Sequence, residues 1–308
     1  MPFTFYLLTY TMRRPRVLVV YKKDAYQRYL QEQHDPHLLR LLRRRHPDVS
    51  DMQRAHTIHE RAIEVVMHTL RRLPVEVELA YRATLNITKR YNMVVSVGGD
   101  GTFLQAARTI HRTPILGVNS DPARSEAVFC AATHRSFPRL MRQVLESRLP
   151  ELKLFRLAVT LNGRQLPEKA LNDVLTVHDD PATMSRYRLH IGPRVETQKS
   201  SGLWVSTAAG SSSAVMAAGG ARLPWSSRRF QYRPRELYRG HLSRCRLIGG
   251  VLPSSACVRV TWLMRRGSAF IDGPHVKIPL QFADVLELRL LLSDPLRVLG
   301  LRPADRHP

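Results

Sequence analysis

The sequence predicts an α/β + β chain: an N-terminal Rossmann-like α/β domain over residues 1–150, then a mostly-β domain of sandwich type over 151–308. Three observations carry this. Short, wholly apolar runs alternate with helix-period stretches up to about residue 150. Beyond it, alternating runs recur between Gly, Pro and Asp punctuation with little helix among them. Asn162-Gly163 between two such runs is a strong hairpin signal. A return of the last ~20 residues to the first domain is left open.

Val17 to Tyr21 is an apolar run of buried-strand type. Helical stretches are expected over 24–45 and 51–72, the second opened by a Ser50/Gln53 capping box and closed by Pro74. Val75 to Tyr81 alternates like a strand. Met93 to Val97 is a second buried strand, running straight into Gly98-Gly99-Asp100-Gly101-Thr102. A helix over 102–111, a strand over 115–118 and a helix over 135–147 complete this half. In the second half, strands are expected at 152–161, 186–191, 258–264, 269–271 and 285–292, with one short helix at 212–218.

The 308 residues carry a formal charge of +23, mostly from arginine, with 44% apolar and 24% charged residues. That balance suits a globular chain whose surface field attracts anions, with nonspecific nucleic-acid contact as a side effect. The arginines form no long block and no aromatic-interleaved RNA motif accompanies them. No stretch approaches the roughly 20 apolar residues of a membrane span. The first 23 residues contain five basic and no acidic side chains, which hints at an organelle-targeting peptide, although the strand starting by Val17 leaves little room for one. Cys130, Cys245 and Cys257 are scattered, as expected of reduced thiols in a reducing compartment.

The glycine segment joins a buried strand to a helix. Glycines there let backbone N–H groups approach an anion, and the helix start adds partial positive charge. A carboxylate in such a cradle needs a reason: Asp100 either accepts a proton from an attacking hydroxyl or helps hold a metal ion. The plainer alternative is a tight turn with Asp100 as helix cap. The segment is neither Gly-x-Gly-x-x-Gly nor a Walker loop.

Val94 to Ala107, VVSVGGDGTFLQAA, resembles the signature of the NAD kinase superfamily, which also includes diacylglycerol-type lipid kinases and, more distantly, phosphofructokinases. Gly117 to Glu126 resembles the following loop in the branch of mitochondrial NAD kinases and plant NADH kinases. Ala170 to Val174 is similar to the family's Asn-Glu motif, with Asp173 for the commoner Glu. Lys199 to Ser213 resembles its third motif, and Phe270-Ile-Asp-Gly273 a weaker closing one. The five matches lie in family order between residues 94 and 273.

The resemblance implies an ATP-dependent transfer to the adenosine 2′-hydroxyl of NAD+ or NADH, giving NADP(H), with Mg2+ accompanying ATP. It implies Asp100 as the general base, and Gly98, Gly99, Gly101 and Thr102 along the phosphate side. Asn119 is expected at the pocket edge. Asn172 and Asp173 are expected on the adenosine, with Ser201, Thr207, Gly210 and Ser212 wrapping the substrate from the β half. Where the family commonly has an acid this chain has Ser201, and Ala214 replaces a tyrosine. These departures on the nicotinamide side make NADH a live substrate beside NAD+. Gln231 to Glu236 resembles a segment near the substrate, with Arg235 and Glu236 as contributors. A homodimer or higher oligomer is implied, and inorganic polyphosphate is an alternative donor. The compartment is expected to be cytoplasmic, with a mitochondrial or other organelle location as the alternative.

Other clusters are read as structural. His178-Asp179-Asp180 suits a hairpin turn better than a metal site, and no dedicated metal ligands are expected. His56 and His59 are assigned to an exposed helix face, Arg43 to Arg45 to a solvated helix end, and Trp204 and Trp225 to packing. The competing functions are a lipid kinase of the same superfamily and a non-catalytic, basic nucleic-acid-binding protein.

Overall fold

The computed structural model describes residues 14–240 and 245–302. By contact it divides into two compact units. One holds the residues up to Leu152 together with those from Arg297; the other holds Lys153–Leu296.

In the first unit the elements run β1 (Arg16–Tyr21), a π-helical turn (Tyr26–Glu32), α1 (Pro36–Arg43), α2 (Pro47–Arg71), β2 (Glu76–Tyr81), β3 (Met93–Gly98), α3 (Asp100–Thr109), β4 (Ile115–Asn119), β5 (Cys130–Thr133) and α4 (Phe137–Leu145). The strands form a parallel sheet in the order β2-β1-β3-β4, with β5 beside the end of β4. Val17, Val19, Val95 and Val97 face α2 and α4 in one core, through Ala62, Val66, Leu70, Phe137 and Leu140. On α3, Phe103, Leu104 and Ala107 are buried, and the Phe103 ring stacks on Phe129 at 5.2 Å. A sheet covered on both faces needs apolar residues at consecutive positions, which is why β1, β3 and β4 read as unbroken apolar runs.

The second unit is a sandwich of antiparallel sheets. One sheet orders β13 (Gly250–Pro253), β12 (Arg229–Pro234), β11 (Leu203–Ser206), β8 (Asp173–Val177), β15 (Gly267–Ile271) and β16 (Val276–Leu280). The other pairs β10 (Arg194–Ser200), β9 (Ser185–Ile191), β14 (Val258–Trp262) and the first residues of β17 (Val285–Leu299). The hairpin of β6 (Glu151–Leu161) and β7 (Arg164–Ala170) turns at Asn162 and Gly163, whose φ of 50° and 78° suit the two-residue turn expected there. Val174, Val205, Phe230 and Ile271 of one sheet meet Tyr187, Val260, Trp262 and Leu288 of the other in the core. The end of β17 belongs to the first unit: Val298 pairs with Ile115, Arg297 bridges to Glu151 at 2.7 Å, and the Gly300 N–H donates to the Pro150 carbonyl at 2.7 Å.

Four local expectations are corrected. The stretch 24–45 is two helices, divided where Asp35 caps α1 by accepting the His37 and Leu38 N–H groups. The second helix starts at Pro47, a residue pre-set for a first helical position, so Ser50 and Gln53 lie inside it and form no capping box. His59 is not on an exposed face. It is buried on the inner side of α2, its Nε2 2.8 Å from the Lys22 carbonyl, while His56 Nδ1 meets Asp24 at 2.8 Å. His178 to Asp180 do form a turn, where β8 stops at Val177 and the Asp180 N–H donates to His178 Nδ1, but not the expected hairpin: β8 and the next strand, β9, belong to different sheets. Among the described residues no helix is long and apolar enough to cross a membrane, and no group of three or more His, Cys, Asp or Glu could hold a metal ion.

Candidate functional site

The order β2-β1-β3-β4 reverses between β1 and β3, and ligands of open parallel sheets bind beyond the carboxyl ends of strands at such a switch point. Lys22 follows β1, Arg82 follows β2, Gly99 and Asp100 follow β3, and Asn119 ends β4. Gly98 is buried, and a Cβ there would lie 2.9 Å from Thr102 Cβ, so a side chain is excluded by the first turn of α3. Gly99 is the N-cap of α3 and contributes no side-chain cap.

Asp100 is not the cap of its own helix. Its two carboxylate oxygens accept the N–H groups of Val128 at 3.0 Å and Phe129 at 2.9 Å. Each carboxylate oxygen has a further lone pair with which to accept a proton or a hydrogen bond. Thr102 is buried, and Arg82 Nη1 donates to its hydroxyl at 3.2 Å. Asn119 braces the next loop: its Nδ2 donates to the Ser125 carbonyl at 2.7 Å and its Oδ1 accepts the Asp121 N–H at 3.0 Å. This loop lies against the glycines, with the Ser120 N–H donating to the Gly98 carbonyl at 3.1 Å.

Two cations at this edge went unrecognised in the sequence. Burial, with the neighbouring positive charges of Arg28 and Arg108, pushes the Arg82 guanidinium pKa down. Burial and Arg82 likewise push the Lys22 ammonium down, against opposing pulls from Asp24 and Asp121. Cations crowded and desolvated in this way gain most from an arriving polyanion. Neither residue sits in a recognisable motif; the available signal was position immediately after a predicted strand.

In the second unit Asn172 and Asp173 enter β8. The Asp173 carboxyl is buried and accepts the Ser213 hydroxyl at 3.1 Å. Burial first, and Asp272 second, push its pKa up to about 7. The Asn172 Oδ1 is buried without a hydrogen-bond partner. The Thr207 hydroxyl donates to the Leu171 carbonyl and accepts the Gly210 N–H at 3.1 Å. Gly210 passes so close to Asn172 that a Cβ there would lie 2.6 Å from Asn172 Cα. Asn172, Asp173, Thr207 and Gly210 therefore converge. Ser212 is half-buried on the same turn, but it is Ser213 that reaches Asp173.

Ser201 lies beyond the opposite end of β11 from Ser206, and its hydroxyl donates to Glu236. A carboxylate thus stands beside the position where the resemblance expects an acid, brought from 35 residues further along the chain. Glu236 borders a cavity of about 360 Å³ lined also by Trp204, Arg235 and the alanines 214, 217 and 218. The Arg235 guanidinium lies over the Trp204 ring, 5.9 Å from its centroid.

Residues 7–147 match the family model of the ATP-NAD kinase N-terminal domain. The chain is 34% identical over 254 residues to a probable NADH kinase of Oryza sativa subsp. japonica, covering 75% of this chain and 78% of that one. It is 30% identical over 252 residues to NAD kinase 2, mitochondrial, of Homo sapiens, covering 65% of this chain and 57% of the relative. Its fold resembles that of an Archaeoglobus fulgidus NAD kinase solved with ATP, with a TM-score of 0.62 at 19% identity over 92% of each chain. It also resembles a yeast NADH kinase solved with NADH, with a TM-score of 0.65 at 16% identity over 94% of this chain and 85% of that one.

Proposed function

Because the chain belongs to the NAD kinase family, we propose that it transfers the γ-phosphate of ATP to the adenosine 2′-hydroxyl of NAD+ or NADH, with Asp100 as general base. The observation that carries the residue roles is the carboxyl edge of the parallel sheet, where Asp100 opens the helix after β3 and two desolvated cations, Lys22 and Arg82, follow β1 and β2. A new bond forms between the 2′-oxygen and the γ-phosphorus while the bridging oxygen departs with ADP, and the hydroxyl proton passes to Asp100. The N–H groups at the start of α3, with Arg82 and Lys22, hold the donor's phosphates and take up the charge shifted onto the leaving oxygen.

Mg2+ bound to ATP would offset phosphate charge. A magnesium ion of this kind needs only one or two protein carboxylates, its other ligands being water and phosphate oxygens. Asp121, with a buried Oδ1 that has no hydrogen-bond partner, and Asp100 are the residues that suit it.

The second unit supplies the contacts to the dinucleotide: Asn172 and Asp173 for the adenosine, shaped by Thr207, Gly210 and the serines that follow. Ser201 and Glu236 bear on the redox state of the nicotinamide, and the NADH kinases among the relatives support NADH as a substrate beside NAD+. A homodimer or higher assembly belongs to this reading. So does a reducing compartment, either cytoplasmic or, on the likeness to the human mitochondrial relative, within an organelle; Cys130, Cys245 and Cys257 form no disulfide. An open groove of about 750 Å³ bearing Arg186, Lys199, Arg265 and Arg266 supports weak, sequence-independent contact with polyanions.

The test is purified protein with ATP, Mg2+ and either NAD+ or NADH, followed by detection of NADP(H). Asp100→Asn should retain the fold and lose at least ~100-fold in kcat. Turnover at the parent rate would remove Asp100 from the chemistry, and failure to phosphorylate either dinucleotide would remove the kinase reading.

A further inference from the structure

Three consecutive backbone N–H groups point at one carboxylate. Asp272, just past β15, is buried; its Oδ2 accepts the Leu171 N–H at 2.9 Å, and its Oδ1 accepts those of Asn172 at 2.7 Å and Asp173 at 3.2 Å. Its own N–H donates back to the Asp173 carbonyl at 3.0 Å. The residue sits at φ 49°, an unfavourable conformation for a side chain with a Cβ, and these bonds hold it there. From the other side the Asn172 carbonyl accepts the Thr207 N–H at 2.9 Å and the Ser206 hydroxyl at 3.1 Å, and Gly210 closes against its backbone. The main chain at 171–173 is therefore clamped on both sides, while the Asn172 Oδ1 is left with unused acceptor capacity. An ordinary turn would be satisfied by one or two such bonds. Stacking three on a buried carboxylate, within electrostatic reach of a second buried carboxyl, is a costly arrangement that needs a reason.

We propose that Asp272 is a positioning residue for the dinucleotide: its carboxylate fixes the 171–173 turn that presents the Asn172 amide and the Asp173 carboxyl, and it adds a negative charge beside that carboxyl. This rests on the kinase reading of the site. Below its titration step Asp173 is a neutral acid; above it, an acceptor suited to two ribose hydroxyls. Asp272 is the charged group acting on Asp173, and Ser213 is its hydrogen-bond donor. β11, which flanks it, brings no ionisable side chain at the paired position, Ser206. Arg156 lies within electrostatic reach of Asp272 and is the cation whose field moderates the pair.

The substitution that separates this role from simple bracing is Asp272→Asn, which keeps the size and removes the charge. The carboxyl ¹³C resonance of Asp173, assigned by its loss in Asp173→Asn, is titrated in unliganded protein; its step should move to lower pH by about one unit in the variant. In the assay, KM for the dinucleotide should rise about tenfold with kcat held within roughly threefold, and the pH at which KM falls should move down with the NMR step. A role confined to bracing predicts lower stability with the step and the inflection unmoved, and that result overturns the proposal. If Asp272→Asn does not fold, the wild type decides. The amide proton shifts of Leu171 and Asn172, bonded to Asp272, should change at the pH where Asp173 titrates; flat shifts overturn it. The NMR arm is independent of catalysis, so a protein that makes no NADP(H) refutes the kinase reading without touching the coupling of the two carboxyls.

Discussion

Replacing Asp173 with asparagine should make the protein more stable above about pH 4, by an amount that grows with pH until about pH 7 and is constant beyond. In the native chain the Asp173 carboxyl has its pKa pushed from 3.8 to about 7, by burial and then by Asp272. Between those values the native state holds a proton that the unfolded chain has already released. Stability therefore falls as pH rises through that interval and levels off above it. At about 1.4 kcal/mol per pH unit, the interval corresponds to on the order of 4 kcal/mol, a large share of a typical domain's stability. Asparagine is neutral throughout, matches the shape, and still accepts the Ser213 hydroxyl through its Oδ1. Urea unfolding of parent and Asp173→Asn at pH 5, 6, 7 and 8 gives the difference directly. It should be about 1.5–2 kcal/mol at pH 5 and level off at about 4 kcal/mol by pH 8. Parallel curves would show that Asp173 titrates normally, and the electrostatic picture of this pocket would be wrong.

Other consequences can be measured with the same proteins. Arg82→Ala should raise KM for ATP about tenfold or more while leaving KM for the dinucleotide within roughly twofold, since the guanidinium and the Thr102 hydroxyl it bonds both lie on the proposed phosphate side; equal changes in both would place Arg82 elsewhere in the mechanism. Gly210→Ala drives a methyl into the Asn172 backbone, and urea unfolding should show a loss of about 1–3 kcal/mol together with weaker dinucleotide binding; unchanged stability would mean the turn has room it does not show. Glu236→Gln should alter the ratio of kcat/KM for NAD+ to that for NADH at least ~3-fold, and an unaltered ratio would detach the Ser201–Glu236 pair from the redox question.

The parts of the fold that were legible are those written locally. β1, β3 and β4 are apolar because both faces of their sheet are covered, and the turn at Asn162-Gly163 is specified by its own two residues. Among the described residues eight strands went unread, β5, β7, β8, β10, β11, β12, β13 and β16; of these, β7, β10 and β16 have the sequences RQLPEKA, RVETQKS and VKIPL. Their strand character comes from the neighbour that pairs with them, which no local window contains. The site divides in the same way. Gly98 to Thr102 announces itself. Arg82 and Lys22 join it only because β2 and β1 run parallel beside β3, and Asp272 meets Leu171 from 101 residues away. Ser201 reads as a lost acid; only the fold returns Glu236 to its side. His59 reads as solvated because an isolated histidine at helical spacing gives no sign that a carbonyl from β1 awaits it.

The strand Val285–Leu299 has a consequence for biosynthesis. Its last residues complete the first unit, where Val298 lies beside Ile115 and Leu299 enters the core. A ribosome delivers Ile115 long before Val298; at cellular elongation rates the delay is roughly 10–40 s. Throughout that interval part of the outer edge of β4 has no partner and the seat of Leu299 is empty, the condition in which nascent chains recruit chaperones or pair with one another. The N-terminal unit thus matures only once Val298 has been made, and a nonsense codon at Arg297 would leave its sheet unfinished while sparing the glycine segment, both carboxylates and every residue proposed to bind a substrate.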